Sequence, residues 1–350
     1  MMKAAQVVEA GAPLQLQEVP LPKATHDEVV IKVISVGVCH SDLHLWDGGY
    51  DLGEKGFMKF VERGGHYPVT PGHEIVGSVH QMGDEVVDFA VGDNVLVFPW
   101  IGCGQCPICQ AGDDNVCDKP RSIGIFCNGG YAEYVIIPSY KYLAKISGVD
   151  FHAATSLACS GLTAYNAIKK ANVRSPEYLV IIGTGGLGLM GIQLAKATTQ
   201  AKIICVDIDD QKLNIAKNLG ADFIVNSSDG NAVQKIYSIC PKGVDSVVDF
   251  VNASPTAKIG LSILKKRGNL VLVGLFGGSI EISLVTIPLK TLIIQGAYTG
   301  TYREMVELLQ LAKEGIINPI ISKQYSLQEA NTALNDLKQR KIVGRAVIIP

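Results

Sequence analysis

The stretch that most limits what this chain can fold into is Tyr178–Gly188, five apolar residues running directly into Gly-Thr-Gly-Gly-Leu-Gly. Tyr178-Leu179-Val180-Ile181-Ile182 has no polar alternation, the pattern of a strand buried on both faces of a parallel sheet. Apolar spacing through Leu189, Ile192 and Leu194 then predicts a helix. Nineteen residues past Gly188 a second run, Lys202 to Val206, ends in Asp207. A lone G-x-G-x-x-G is a weak signal, but set between strand and helix it predicts a dinucleotide site. Gly183, Gly185, Gly186, Leu187 and Gly188 would let backbone approach a pyrophosphate at the helix N-terminus, and Asp207 would hold the adenosine ribose. A glycine-rich structural turn is the plain alternative.

Asp207 also selects the cofactor. A carboxylate that accepts from a ribose 2′-hydroxyl repels a 2′-phosphate, and Asp209 and Asp210 add to that repulsion, so NAD is expected over NADP. Further apolar runs at Ser246–Phe250, Asn269–Val273 and Thr291–Gly296 alternate with helical patterns. That alternation predicts a doubly wound parallel sheet.

The earlier part of the chain reads differently. Short β-branched runs at Val29–Val38, Ile75–Val79, Asn94–Phe98 and Tyr134–Ile137 lie between turn residues, predicting an antiparallel, partly closed β-barrel. Asp47–Tyr67, with six glycines and no period, is expected to be a long loop. Helical periodicity returns from Phe151 to Ala171, with a break expected at Cys159 and Gly161. Helices near Tyr302–Ala312 and Leu327–Leu337 precede a last strand over 344–350.

Cys103, Cys106, Cys109 and Cys117 follow the spacing C-x2-C-x2-C-x7-C, which lets four thiolates wrap one ion without distant chain. Structural zinc is the expectation. The spacing does not match the ferredoxin-type run, and free or paired cysteines are the remaining alternative. Such an ion would stabilise a lobe, about residues 98–120, that has little core of its own. Cys205 lies in an apolar run and reads as a small buried hydrophobe.

Thirty-one Lys and Arg against 33 Asp and Glu give a net charge of −2, with no basic block to track phosphates, so nucleic acid and anionic membrane are not expected partners. A charge interrupts the first nine residues, and no stretch approaches about 18 apolar residues. A cytoplasmic protein is expected, and a reducing compartment suits the thiol clusters.

Cys39-His40-Ser41-Asp42-Leu43-His44 packs a thiol, two imidazoles, a hydroxyl and a carboxylate behind an apolar strand. Gly72-His73-Glu74 follows, and Cys159 stands much later beside Ser160. Cys39, His73 and Cys159 together offer a metal two thiolates and one imidazole. With the four-cysteine cluster and the glycine fingerprint, these motifs resemble the zinc-dependent medium-chain alcohol dehydrogenases over nearly the whole chain. Two thiolates and an imidazole are the ligand set that family is known for, so their assignment to a catalytic zinc rests on the resemblance.

The resemblance implies a GroES-like catalytic domain at 1–160 and 300–350 and a Rossmann domain at 161–299. Activity would be the reversible oxidation of primary or secondary alcohols to aldehydes or ketones, with zinc as Lewis acid and NAD taking the hydride. Ser41 and His44 would relay the proton through the cofactor ribose, and Asp42 would orient His73. Glu74 would be an exchangeable metal ligand. His40, Thr163, Lys212, Val273 and Arg345 would contact the cofactor, Arg345 and His40 at its pyrophosphate. Trp100, Ile125, Leu275 and Tyr298 would line an apolar substrate pocket, with room left by Ser122. A homotetramer is implied, with a dimer as the alternative. A polyol or other specialised dehydrogenase would carry the same motifs; a metal-free reductase would not keep the ligands, nor a non-catalytic sensor the relay.

Overall fold

The computed structural model describes residues 1–174 and 176–350. It divides into two compact units, one formed by Met1–Gly49, Lys59–Leu162 and Thr299–Pro350, the other by Tyr50–Met58 and Thr163–Tyr298.

The first unit is built on a seven-stranded sheet. Its main path runs Ile321–Ser326, Arg345–Ile349, Val29–Gly37, Glu74–Met82, Asn94–Val97, Leu143–Lys145, and Tyr134–Ile137 pairs with Val29–Gly37 as well. All the pairings are antiparallel except that of Ile321–Ser326 with Arg345–Ile349. Val29–Gly37 is the organising strand. Eight of its nine residues are apolar or small, and it packs Val29, Val30, Ile31 and Val36 into the core. Its register sets Gly37 opposite both Glu74 and Val347. Three distant segments therefore end side by side, which is how Cys39, His73-Glu74 and Arg345 reach one place. A two-stranded sheet, Met2–Gln6 with Gln15–Val19, completes the N-terminus and was not anticipated, because Gln15–Val19 is mostly exposed and carries little apolar signal.

The stretch from Asp47 to Tyr67, expected to be irregular, contains a small antiparallel-type hairpin pair, Gly49–Asp51 and Phe57–Lys59, and two short 3-10 turns. In the second unit its Gly53 lies against the backbone of Gly278 and Ser279 so closely that a side chain there would collide. Gly53 thus serves close backbone packing, while Gly56 and Gly64, at φ +88° and +87° with open space beside them, serve turns.

The second unit holds six parallel strands in the order Phe223–Asn226, Lys202–Asp207, Tyr178–Ile182, Val244–Asp249, Leu264–Leu272, Ile293–Gly296. Numbered by sequence this is 3-2-1-4-5-6, the doubly wound order of dinucleotide folds. Val180, Ile182, Ile204, Val206, Val247 and Leu270 are buried in its core. Cys205 is fully buried too, as its apolar neighbours predict. Both sheets agree with the expected barrel-plus-Rossmann architecture.

Candidate metal centres and dinucleotide loop

The helix His40–Asp47 begins where Val29–Gly37 ends. Cys39 is its N-cap, in extended backbone, and the carboxylate of Asp42 reaches back to accept the Cys39 N–H at 2.9 Å. His73 and Glu74 open the neighbouring strand. Cys159 stands at φ −134°, ψ −74°, between the 3-10 turn Ser156–Ala158 and the helix Ser160–Ala171, so the helical pattern breaks at the residue whose sulfur is needed. The ligand atoms of Cys39, His73, Glu74 and Cys159, all buried, lie within 4.8 Å of one another. The two sulfurs are 3.9 Å apart.

Electrostatics at this point favour one thiolate of the pair. The Cys39 thiol is held well below its ordinary value, first by the hydrogen bond from Cys159 and also by Arg345 and His73, against the effect of burial; Cys159 is pushed the other way by the same bond and by burial. Burial pushes Glu74 up, with Arg345 opposing. Arg345 is itself buried, its Nη2 2.8 Å from Glu74 Oε1 and its Nε donating to Ser160 Oγ at 2.9 Å. Its guanidinium thus faces the metal ligands, with Nη2 3.5 Å from Cys39 Sγ. Ser160 also donates its N–H to Glu74 Oε1 at 3.2 Å. Ser160 drew notice only as a neighbour of Cys159, and nothing in its local sequence marks it as the bracket between Glu74 and Arg345.

A divalent metal fits these residues. His73 Nε2 and Glu74 Oε2 are fully buried polar atoms with no hydrogen-bond partner, a costly arrangement that coordination would resolve. His73 Nδ1 lies 3.3 Å from Asp42 Oδ1, near enough for charge pairing though not aligned as a hydrogen bond. The four-cysteine lobe fits equally well. Cys106 Sγ is 3.5 Å from Cys109 Sγ and 3.8 Å from Cys117 Sγ, and Cys103 Sγ is 4.0 Å from Cys109 Sγ. Those separations match the edges of a tetrahedron with zinc–sulfur bonds of about 2.3 Å. Backbone N–H groups of Gln105 and Cys106 lower the Cys103 thiol to about 6, while burial raises Cys109 to about 12. These are the only clusters of metal-ligating side chains found among the described residues.

In the helix after Cys39, Ser41 is half-buried with Oγ 3.8 Å from Cys39 Sγ, and His44 follows one turn later. Burial first lowers His44 from its ordinary 6.5, with Cys39 and Asp47 opposing. His40, at the helix start, is half-buried. Trp100 is buried with its ring 5.3 Å from that of His73 and its N–H donating to Ala158 O at 2.9 Å. Ile125 and Ser122 are buried as well.

The glycine loop of the second unit shows a cradle. Gly183 adopts φ +90°, a Cβ at Gly188 would strike the Gly183 carbonyl, and a Cβ at Gly185 would project into open space. The three positions meet the three needs of a dinucleotide turn: a sharp bend, access to the ligand, and close packing of helix on strand. Gly185 is the N-cap of Gly186–Thr198 and supplies no side-chain cap, leaving the first helical N–H groups for an anion. Asp207 ends its strand nearby. Thr163 and Val273 are buried, Leu275 and Tyr298 about a third exposed, and Lys212 packs along the helix Asp210–Asn218 with Nζ 4.0 Å from Asp209 Oδ2.

Comparison with known sequences agrees with this geometry. Residues 25–148 match the alcohol dehydrogenase GroES-like domain, and residues 186–314 match the zinc-binding dehydrogenase family. The chain belongs to the zinc-binding medium-chain alcohol dehydrogenases. Within them it is 42% identical, over all of both chains, to a protein of Sulfurisphaera tokodaii named NAD-dependent alcohol dehydrogenase. It is 41% identical, again over full length, to one of the same name from Saccharolobus solfataricus. Its fold is similar to the crystal structure of the alcohol dehydrogenase from Aeropyrum pernix, with a TM-score of 0.91 and 31% identity over 99% of this chain and 100% of that one. The D-arabinose dehydrogenase from Sulfolobus solfataricus also matches, with a TM-score of 0.85 and 25% identity over 100% of this chain and 99% of that one.

Proposed function

We propose that this chain is an NAD-dependent alcohol dehydrogenase that interconverts primary or secondary alcohols with aldehydes or ketones. The observation that carries this reading is the convergence of Cys39, His73, Glu74 and Cys159 around a buried imidazole nitrogen that has no other partner. When bound, zinc supplies a Lewis acid and NAD a hydride acceptor.

The chain's own residues handle the proton. Ser41 is the hydroxyl positioned to accept a hydrogen bond from the substrate alcohol, and His44, one helical turn on, passes that proton outward. Burial keeps His44 neutral near pH 7, so its ring can accept a proton rather than arrive already charged. Asp42 orients His73, and Glu74 stands ready to enter the metal sphere. Asp207, the glycine loop and Lys212 are the proposed cofactor contacts of the second unit, together with Thr163 and Val273; His40 and Arg345 complete the set. For Arg345 the pairing with Glu74 supports a first duty in balancing buried charge. Trp100, Ile125, Leu275 and Tyr298 remain the proposed pocket residues, favouring apolar alcohols.

A homotetramer, or a dimer, is part of this reading. Leu284, Val285 and Leu289 are exposed, as is Ile293 on the sheet-edge strand Ile293–Gly296, and exposed apolar side chains of this kind are what subunits cover. A cytoplasmic location suits thiolate ligands, which a reducing compartment preserves. No helix among the described residues is long and apolar enough to cross a membrane. An alcohol panel followed by NADH absorbance tests the activity. Absence of NADH formation with every primary and secondary alcohol, in protein shown to hold two zinc ions, would refute it.

A further inference from the structure

Asp42 is the hub of the buried network beside the metal ligands. It is only 1% exposed, yet its two oxygens meet four groups. Oδ2 accepts the Cys39 N–H at 2.9 Å and the Tyr131 hydroxyl at 3.2 Å; Oδ1 accepts the Gly72 N–H at 3.1 Å and faces His73 Nδ1 at 3.3 Å. Three of those groups belong to the segments carrying Cys39 and His73. The fourth comes from a residue 89 positions away.

We propose that Tyr131 is a positioning residue for the catalytic metal, its hydroxyl fixing the Asp42 carboxylate that in turn aligns the Cys39 turn and the His73 ring. The proposal rests on the reading that Cys39, His73, Glu74 and Cys159 hold zinc.

Tyr131 is placed for this by its backbone. Its N–H donates to Pro71 O at 3.0 Å, its carbonyl accepts the Ala5 N–H at 2.8 Å, and Gly130 donates to Gly72 O at 2.7 Å. The segment therefore lies along the residues that lead into His73. Gly72, at φ +94°, packs beneath the Tyr131 ring, where any Cβ would collide. The ring is fully buried, and a phenylalanine would fill the same volume with no hydroxyl to desolvate. The hydroxyl has its use in the carboxylate it meets. With it, Oδ2 is held by donors from two directions. Without it, the carboxylate keeps one backbone donor on each oxygen, Cys39 N–H on Oδ2 and Gly72 N–H on Oδ1, and loses the side-chain donor that fixes its tilt toward His73. Partners that orient a metal-bound histidine typically change metal affinity by about 10- to 100-fold when removed.

The test uses the two-zinc holoprotein, with the four-cysteine site as internal control. Wild type and Tyr131→Phe are titrated with a chelator, and zinc remaining per chain is measured. In Tyr131→Phe one zinc should leave at a chelator concentration about tenfold lower or more, while the second leaves where it does in wild type. Asp42→Asn should show the same selective loss, and adding Tyr131→Phe to it should change nothing further. With cobalt in the catalytic site, the visible spectrum should shift in both variants. The proposal is overturned if Tyr131→Phe releases its first zinc at the wild-type concentration, if it releases both ions together, or if its effect adds fully to that of Asp42→Asn. His73→Ala separates this from the underlying reading. If that variant keeps both ions, the site assignment has failed; if it loses one while Tyr131→Phe behaves as wild type, only the role of Tyr131 has.

Discussion

Thr184 donates both its backbone N–H and its hydroxyl to one carboxylate oxygen of Asp207, at 2.6 and 2.8 Å. The other oxygen accepts the N–H groups of Ile208 and Asp209, at 2.7 and 3.2 Å. The acid proposed to read the ribose is thus oriented by the glycine loop and by its own turn. Replacing Asp207 with Ala should raise KM for NAD about tenfold or more, the worth of a hydrogen bond to a charged group, and improve NADP relative to NAD. Steady-state kinetics with both cofactors check this; an unchanged ratio of the two kcat/KM values would remove Asp207 from the discrimination.

The two metal clusters share no ligand, so they should fail separately. Cys39→Ala is expected to abolish alcohol oxidation and leave one zinc per chain. Cys103→Ala should also leave one zinc, but its effect should fall on stability, because the lobe it ties down has few buried apolar residues. Elemental analysis with thermal melts distinguishes the two.

Arg345 and Glu74 form an ion pair sealed from water, at 4% and 0% side-chain exposure. Breaking one side of such a pair leaves the other charge buried alone, which costs about 3–5 kcal/mol. Arg345→Met should lower the stability of the protein by about that amount, read as a shift in the urea midpoint. Arg345→Lys, keeping charge but losing the fork that reaches Ser160, should recover only part.

Asp336 accepts from Lys323 Nζ at 2.8 Å and from the Tyr325 hydroxyl at 2.7 Å, and these bonds lower its carboxyl to about 2. Because the folded value lies below the ordinary 3.8, the unfolded chain binds the proton first. The stability this group adds is present above pH 4, declines as pH falls, and is lost near pH 2. Asp336→Asn should therefore melt below wild type at neutral pH, with the gap closing on acidification. Melting curves between pH 2 and 7 check it.

Legibility followed the range of the interactions. The strand Tyr178–Ile182 and its glycines could be read because apolar continuity, turn and helix are adjacent in the chain. The four-cysteine lobe could be read for the same reason. Cys39, His73 and Cys159 are not adjacent, and their grouping came from the resemblance; the structure supplies its cause in the pairing of Gly37 with Glu74. Ser160 as a bracket, Tyr131 as a donor and the turning of Arg345 toward Glu74 left no local trace, since each depends on a partner between 86 and 271 positions away. The pairing within Gly49–Lys59 left no clear trace because a glycine used for backbone contact, Gly53, and one used for a turn, Gly56, look in sequence like glycines of an unstructured loop.

The compact spacing of the four-cysteine lobe also divides the two sites by what closes them. Cys103 to Cys117 closes 14 positions of chain, against 120 between Cys39 and Cys159, and closing the longer span costs more entropy. The lobe's ion therefore closes its own short loop, whereas the catalytic ligands are gathered by the sheet. Withdrawing zinc would then loosen the lobe, which depends on its ion for closure, while leaving the catalytic ligands where the sheet holds them.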